Sequence, residues 1–200
     1  MRVLVVGEGP HELGDGRETS SLVSLLQRLL PQRSIEATCC AIKSFKQRVH
    51  GRGDRHVKKL LWILNDAAKS DYEAVVLLID RDGDKSRQSA IDIAQVSDFV
   101  NIPRAFGVAV ESYDAWFLAD HAKLAELLDI RIDMISQPEK KSDPKSLLRN
   151  YKNQSAYEGT QRQLYFDLAE IVDLELLKQR CPGGFGEFSE RVLQLLLQLP

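Results

Sequence analysis

No stretch of this 200-residue sequence is long and apolar enough to span a bilayer, and its start carries no signal-peptide pattern. A membrane partner is therefore not expected. Cysteine is scarce. Three residues, two of them adjacent (Cys39, Cys40), give neither a zinc spacing nor a disulfide framework. A reducing cytoplasm is the expected setting. Charge of one sign is lacking too: 27 Lys and Arg against 29 Asp and Glu leave a net charge of −2. That balance argues against a chain that binds as a polyelectrolyte along its whole length. A glycine-rich nucleotide loop is also missing. Gly7-x-Gly9 has no third glycine in register, and no Gly-Lys-Ser/Thr follows. What is left is ordinary globular composition, 44% hydrophobic and 28% charged. It suffices for one domain with a full core and a small appendage.

The most informative stretch is residues 74–84, Ala-Val-Val-Leu-Leu-Ile-Asp-Arg-Asp-Gly-Asp. Its unbroken apolar run, 75–79, suits a strand buried on both faces, as in a parallel α/β sheet. The run stops at Asp80, Asp82 and Asp84, with Gly83 allowing a tight turn. Acids at the carboxyl end of a buried strand lie where open α/β sheets bind ligands. Alternate aspartates repel one another unless a cation lies between them, and Mg²⁺ or Mn²⁺ matches their hard oxygens. The plainer alternative is a solvated Asp-Gly turn. A calcium loop of the EF-hand type is excluded, because its sixth and twelfth positions hold Lys85 and Ile91 instead of Gly and Glu.

Two other strands, the first and the fourth, end in the same way. A first strand over 2–6 runs into Glu8-Gly-Pro-His-Glu12, a second is expected over 35–42, and a fourth over 103–110 ends at Glu111. Helices are expected from about residue 18–21 to Pro31, over 54–69 with Asp54 as N-cap, over 86–98 and over 121–128. Residues 130–144 read as irregular, 161–180 and 185–199 as helical, divided by Cys181-Pro-Gly-Gly184. The fold class is thus α/β, a mostly parallel four-stranded sheet flanked by helices, with a helical C-terminal extension. Its boundaries are 1–121 for the sheet domain and 122–200 for the extension, packed on or beside it. In a parallel sheet the strand ends share one edge, so Glu8, Glu12, Asp80, Asp82, Asp84 and Glu111 can converge.

Charge is uneven along the chain. Lys43, Lys46, Arg48, Arg52, Arg55, Lys58 and Lys59 face a single acid, Asp54, across residues 43–59. A basic stripe beside an acidic cluster suits phosphodiester chemistry, cations holding the backbone and acids holding metal. The alternative is a solvated face. Trp62 is assigned to the core in preference to base stacking. The leucines at 193, 195, 196, 197 and 199 exceed one helix face, so they supply core or a partner surface, including a homodimer.

Glu8-Gly-x-x-Glu12 after a first strand and Asp80-x-Asp82-x-Asp84 after a later one resemble the Toprim domain, over about residues 1–120. Topoisomerases, bacterial primases, recombination-repair proteins and nucleases of the overcoming-lysogenization-defect type share it. More narrowly, Glu111-x-x-x-Ala-Trp-Phe-Leu-Ala-Asp120, Asp143-Pro-Lys145 and Cys181-Pro-x-x-Phe185 look like a small stand-alone Toprim-like bacterial family of unknown function, linked with phage-defence loci. The resemblance implies a metal-dependent phosphodiester site with one or two Mg²⁺ or Mn²⁺ ions. Glu8 would be metal ligand or general acid/base and Glu12 the second acid of the nuclease branch. Asp80 and Asp82 would be the metal pair, Asp84 the third acid and Glu111 the completion of a second metal site. No tyrosine-nucleophile or helicase segment accompanies these motifs, which argues against topoisomerase or primase action.

The expected function is a cytoplasmic metal-dependent endonuclease acting on DNA or RNA, with Glu8 or Glu12 as the base and Asp80 catalytic. Two rivals stand beside it. One is a regulatory subunit of a separately encoded ATPase, motivated by the leucine-rich end and the missing nucleotide loop. The other is a phosphatase of the haloacid-dehalogenase type, because Asp80-Arg-Asp-Gly begins like that family's nucleophile motif, although Asp84 follows where Thr or Val is needed.

Overall fold

The computed structural model describes residues 1–14, 20–46 and 54–198. Four parallel strands form one sheet in the order β2-β1-β3-β4: β1 Arg2–Gly7, β2 Glu36–Ala41, β3 Ala74–Asp80 and β4 Arg104–Ala109. Each matches an expected strand to within a residue or two. The two inner strands are the most apolar runs of the chain, because both of their faces are covered. Alternation sorts their side chains. Val3, Val5, Val76 and Leu78 point into one core, while Leu4, Val6, Val75, Leu77 and Ile79 point into the other.

The strand order follows from handedness. The chain leaves β1 for β2 through α2 (Ser21–Leu29), whose Leu22, Leu25, Leu26 and Leu29 join the first core. It then passes back over β1 to β3 through α3 (Arg55–Lys69), whose Leu60, Ile63, Leu64 and Ala67 join the second. Right-handed crossovers in opposite directions must put their helices on opposite faces. Helix α4 (Lys85–Val96) continues in the second direction and lies beside α3. The reversal between β1 and β3 opens a crevice at the carboxyl edge, the usual ligand position of such sheets. Two side-chain caps set the helix starts. The Ser20 hydroxyl accepts from the Val23 amide, and the Asp54 carboxylate from those of His56 and Val57.

The first face is finished by the rest of the chain. Helices α5 (Asp114–Ala119) and α6 (His121–Leu128) are followed by α7 (Pro144–Gln154), α8 (Gln161–Ile171), α9 (Leu174–Arg180) and α10 (Glu187–Gln198). Tyr113, Trp116, Phe117, Tyr165, Phe185 and Phe188 are all buried there. They meet mostly edge to face, with the Trp116 ring centroid 5.0 Å from Tyr113 and 5.1 Å from Phe185. Arg28 of α2 donates to the carbonyls of Ala169 and Val172, both at 2.7 Å, so it satisfies the end of α8.

Three details depart from the sequence expectation. The expected helix over 161–180 is two helices, broken where Val172 is extended and Asp173 caps α9. Asp120 holds that break, one oxygen accepting from Asp173 N and the other from Lys123 N. Helix α7 lies where the sequence pattern predicts none, and Asp143-Pro144 is its start, an N-cap followed by proline at the first helical position. A short helix α1 (Pro10–Leu13) precedes the main one, which begins at Ser21. The leucine-rich end is divided: Val192 and Leu195 are buried, while Leu193 and Leu197 face outward. Trp62 is half-buried, packed edge to face on Phe45 at 5.7 Å.

Candidate functional site

The carboxyl edges of β1 and β3 place Glu8 and Asp80 side by side. Glu8 Oε2 accepts from the Asp80 backbone N–H at 3.2 Å, across 72 residues of chain. The turn after β3 is built by Asp82 and Gly83, both left-handed with φ of 49° and 72°. That conformation suits Gly and is tolerated by Asp. Asp84 then caps α4, its Oδ1 accepting from Ser86 N at 2.9 Å, and the Ser86 contacts hold its carboxyl below the ordinary aspartate range.

Behind Asp80 lies a second tier of acids. Glu12, on the short α1, is 7% exposed and accepts from Gly9 N at 2.8 Å. Asp114, at the start of α5, is 4% exposed and accepts from the Tyr165 hydroxyl. The strand end beyond β4 makes this arrangement. Glu111 takes a left-handed turn at φ 60°, costly for a residue with a Cβ, and Arg81 pairs with its carboxylate. The turn brings the Tyr113 N–H onto Asp80 Oδ1 at 2.7 Å.

Electrostatics mark Asp80 as the focus. Burial first, then the charges of Glu12, Glu8 and Asp114, push its pKa up to about 8, against the pull of the Tyr113 amide. Glu12 is raised for the same reasons, burial leading and Asp114 and Glu8 adding to it. A buried carboxyl held away from its usual range by like charges in a cleft is a mark of functional sites. His11, stacked on Tyr165 at 4.6 Å, is lowered by burial, with Lys145 and Arg162 adding to it.

Of the six acids expected to converge, Glu8, Glu12, Asp80 and Asp82 therefore gather at the crevice. Glu111 is engaged by Arg81, and Asp84 by the α4 amide. Among the described residues no three His, Cys, Asp or Glu side chains are already set to share one ion. Two participants went unassigned in the sequence. Asp114 was visible three residues after Glu111, on the same face-forming turn. Arg87 reaches Glu8, Asp82 and the Asp80 carbonyl, and nothing in its sequence position announces that.

The basic stripe is partly seen. Lys59 is half-buried, and its pKa is lowered by burial and by Arg55 while Glu8 acts the other way, so Lys59 lies within the field of the site. Arg55 is exposed on the first turn of α3 and Lys58 half-buried beside it; Lys43 and Lys46 are exposed after β2. Arg48 and Arg52 lie outside the described residues. A cavity of about 640 Å³ opens beside Glu8, lined also by Pro10, Leu13, Ala37, Thr38 and Lys43. Compared with protein-family models, curated proteins and solved structures, the chain matches none.

Proposed function

We propose that this chain is a divalent-metal-dependent nuclease that hydrolyses nucleic-acid phosphodiesters at the β1–β3 crevice. The observation that carries the reading is the convergence of Glu8, Glu12, Asp80 and Asp114 at one sheet edge, where burial first and the neighbouring charges second lift Asp80 to about 8. The donors fit Mg²⁺ or Mn²⁺, since Glu8, Asp80 and Asp82 offer hard carboxylate oxygens at one edge. Glu8, Asp80 and Asp82 would hold such an ion, which when bound would supply Lewis-acid polarisation of a phosphoryl oxygen. Glu12 is the proton acceptor for the attacking water, because burial raises its basicity above that of an ordinary carboxylate. The Tyr113 amide fixes the orientation of Asp80, and Lys59, Arg55 and Lys43 hold the phosphate backbone on either side.

The test is cleavage of single-stranded, duplex and transfer-RNA substrates by the purified chain under Mg²⁺ and Mn²⁺, with Glu8→Gln as the control. Metal-dependent cuts lost in the control support the reading. Metal binding without cleavage moves the reading to an active complex with a separate partner. Cuts that persist in Glu8→Gln overturn it.

Nucleic-acid binding should weaken steeply with salt, through release of condensed counterions. Arg55→Ala and Lys59→Ala should each lower the slope of log K against log [salt] by about one. Fluorescence anisotropy across a KCl series measures this, and slopes equal to the wild type would remove α3 from the interface.

A further inference from the structure

Arg87 is the third residue of α4, and the Asp84 cap fixes where that helix begins. Its side chain folds back over the helix start toward the sheet edge. A cation there works against the helix, whose N-terminal end favours negative charge. Arg87 is therefore placed for the sake of the acids. Its contacts have an unusual form. Arginine normally meets a carboxylate as a fork, with two nitrogens on two oxygens. Here a single nitrogen, Nη1, lies 3.1 Å from Glu8 Oε1, 3.4 Å from Glu8 Oε2 and 3.1 Å from Asp82 Oδ2, and it also donates to the Asp80 carbonyl. Two hydrogens are shared among four oxygens from the ends of β1 and β3. One positive point ringed by oxygens is the arrangement of a ligated ion. The side chain is 22% exposed, so it meets solvent at the mouth of the site.

We propose that Arg87 is the resident counter-cation of this site, and that a divalent ion enters by exchange with its guanidinium. The inference rests on the metal reading above. In the metal-free protein Arg87 offsets the repulsion between Glu8 and Asp82 and keeps both side chains in place. Loading replaces one positive charge with two, which favours divalent over monovalent ions. The bound ion must displace a partner already held, and the apparent metal affinity falls accordingly.

Isothermal titration with Mn²⁺, paired with thermal melts in chelator and in Mn²⁺, tests this on the full chain. Arg87→Ala should bind Mn²⁺ roughly two- to fivefold more tightly than the wild type, the scale of one partly exposed charge pair that need not be broken. In chelator it should melt lower, and its gain on adding Mn²⁺ should exceed that of the wild type. Arg87→Gln keeps a donor without the charge and should shift affinity in the same direction should the alanine variant fold poorly. Equal or weaker Mn²⁺ binding by both variants, with the wild type binding well, overturns the exchange and leaves the metal reading standing. Folded proteins of which none binds millimolar Mn²⁺ would overturn both.

Discussion

Replacing Asp80 with asparagine should cut the proposed cleavage activity by orders of magnitude and at the same time stabilise the metal-free protein. The two effects come from one cause. Asp80 sits where Glu8, Glu12 and Asp114 add to the cost of its burial, and its pKa is pushed up to about 8. Between the unfolded value of 3.8 and this folded value, the folded chain binds more protons than the unfolded one. Stability must then fall as pH rises through that window. Each pH unit of such a difference is worth ~1.4 kcal/mol, so the ionised carboxylate costs the metal-free fold a few kcal/mol near pH 8. Asparagine keeps an oxygen for the Tyr113 amide and removes the charge. In chelator the variant should melt higher than the wild type at pH 8, and the two should approach each other toward pH 4. Activity should drop on the order of a thousandfold, the scale of losing one preorganised electrostatic partner. Melts at four pH values with a parallel cleavage assay decide it. A variant less stable than the wild type at pH 8 would show that Asp80 is a structural carboxylate.

The site and the fold were legible to different depths. Residues 75–79 announce a doubly buried strand by composition alone, and right-handed crossovers then force the strand ends onto one edge. Glu8 and Asp80 could be brought together from the sequence for that reason. The fate of Asp84 could not. Asp-Gly-Asp-Lys-Ser reads equally as a ligand run or as a helix cap, and the choice depends on where α4 begins. Glu111 and Arg81 pair through a left-handed residue that no local pattern signals. Arg87 is one of 27 basic residues, and its value lies in a direction of projection that only the turn at Asp82 and Gly83 sets. The break at Val172 is of the same kind. Residues 161–180 carry a continuous helical pattern, and it is a distant carboxylate, Asp120, that satisfies the freed amide. Local periodicity reveals elements, whereas buried polar partners arise from tertiary contact.

Gly184→Ala should be among the most destabilising single changes in the chain, by about 3 kcal/mol or more. Cys181-Pro-Gly-Gly-Phe185 forms a π-helical turn, Pro182–Gly186, ahead of α10. Its amides receive a buried carboxylate: Gly183 N lies 3.2 Å and Gly184 N 2.6 Å from the two oxygens of Glu139. Burial pushes the Glu139 carboxyl up, and these two amides together with Arg81 act against that. A methyl group on Gly184 would lie 2.6 Å from Glu139 Oε1, 2.9 Å from Trp116 Nε1 and 3.2 Å from the Val110 backbone nitrogen. The carboxylate would have to leave its amides, or the indole and the strand end would have to shift. Val110 directly precedes Glu111, whose turn delivers the Tyr113 amide to Asp80, so the disturbance should reach the crevice as well. Gly183→Ala is the matched control. Its added methyl would meet Val110 Cγ2 at 3.4 Å and Glu139 Oε2 at 3.6 Å, ordinary contact distances. Urea melts of the two variants should separate widely, with Gly183→Ala within about 1 kcal/mol of the wild type. Comparable losses at both positions would mean that backbone freedom in the turn matters here and the closeness of Glu139 and Trp116 does not.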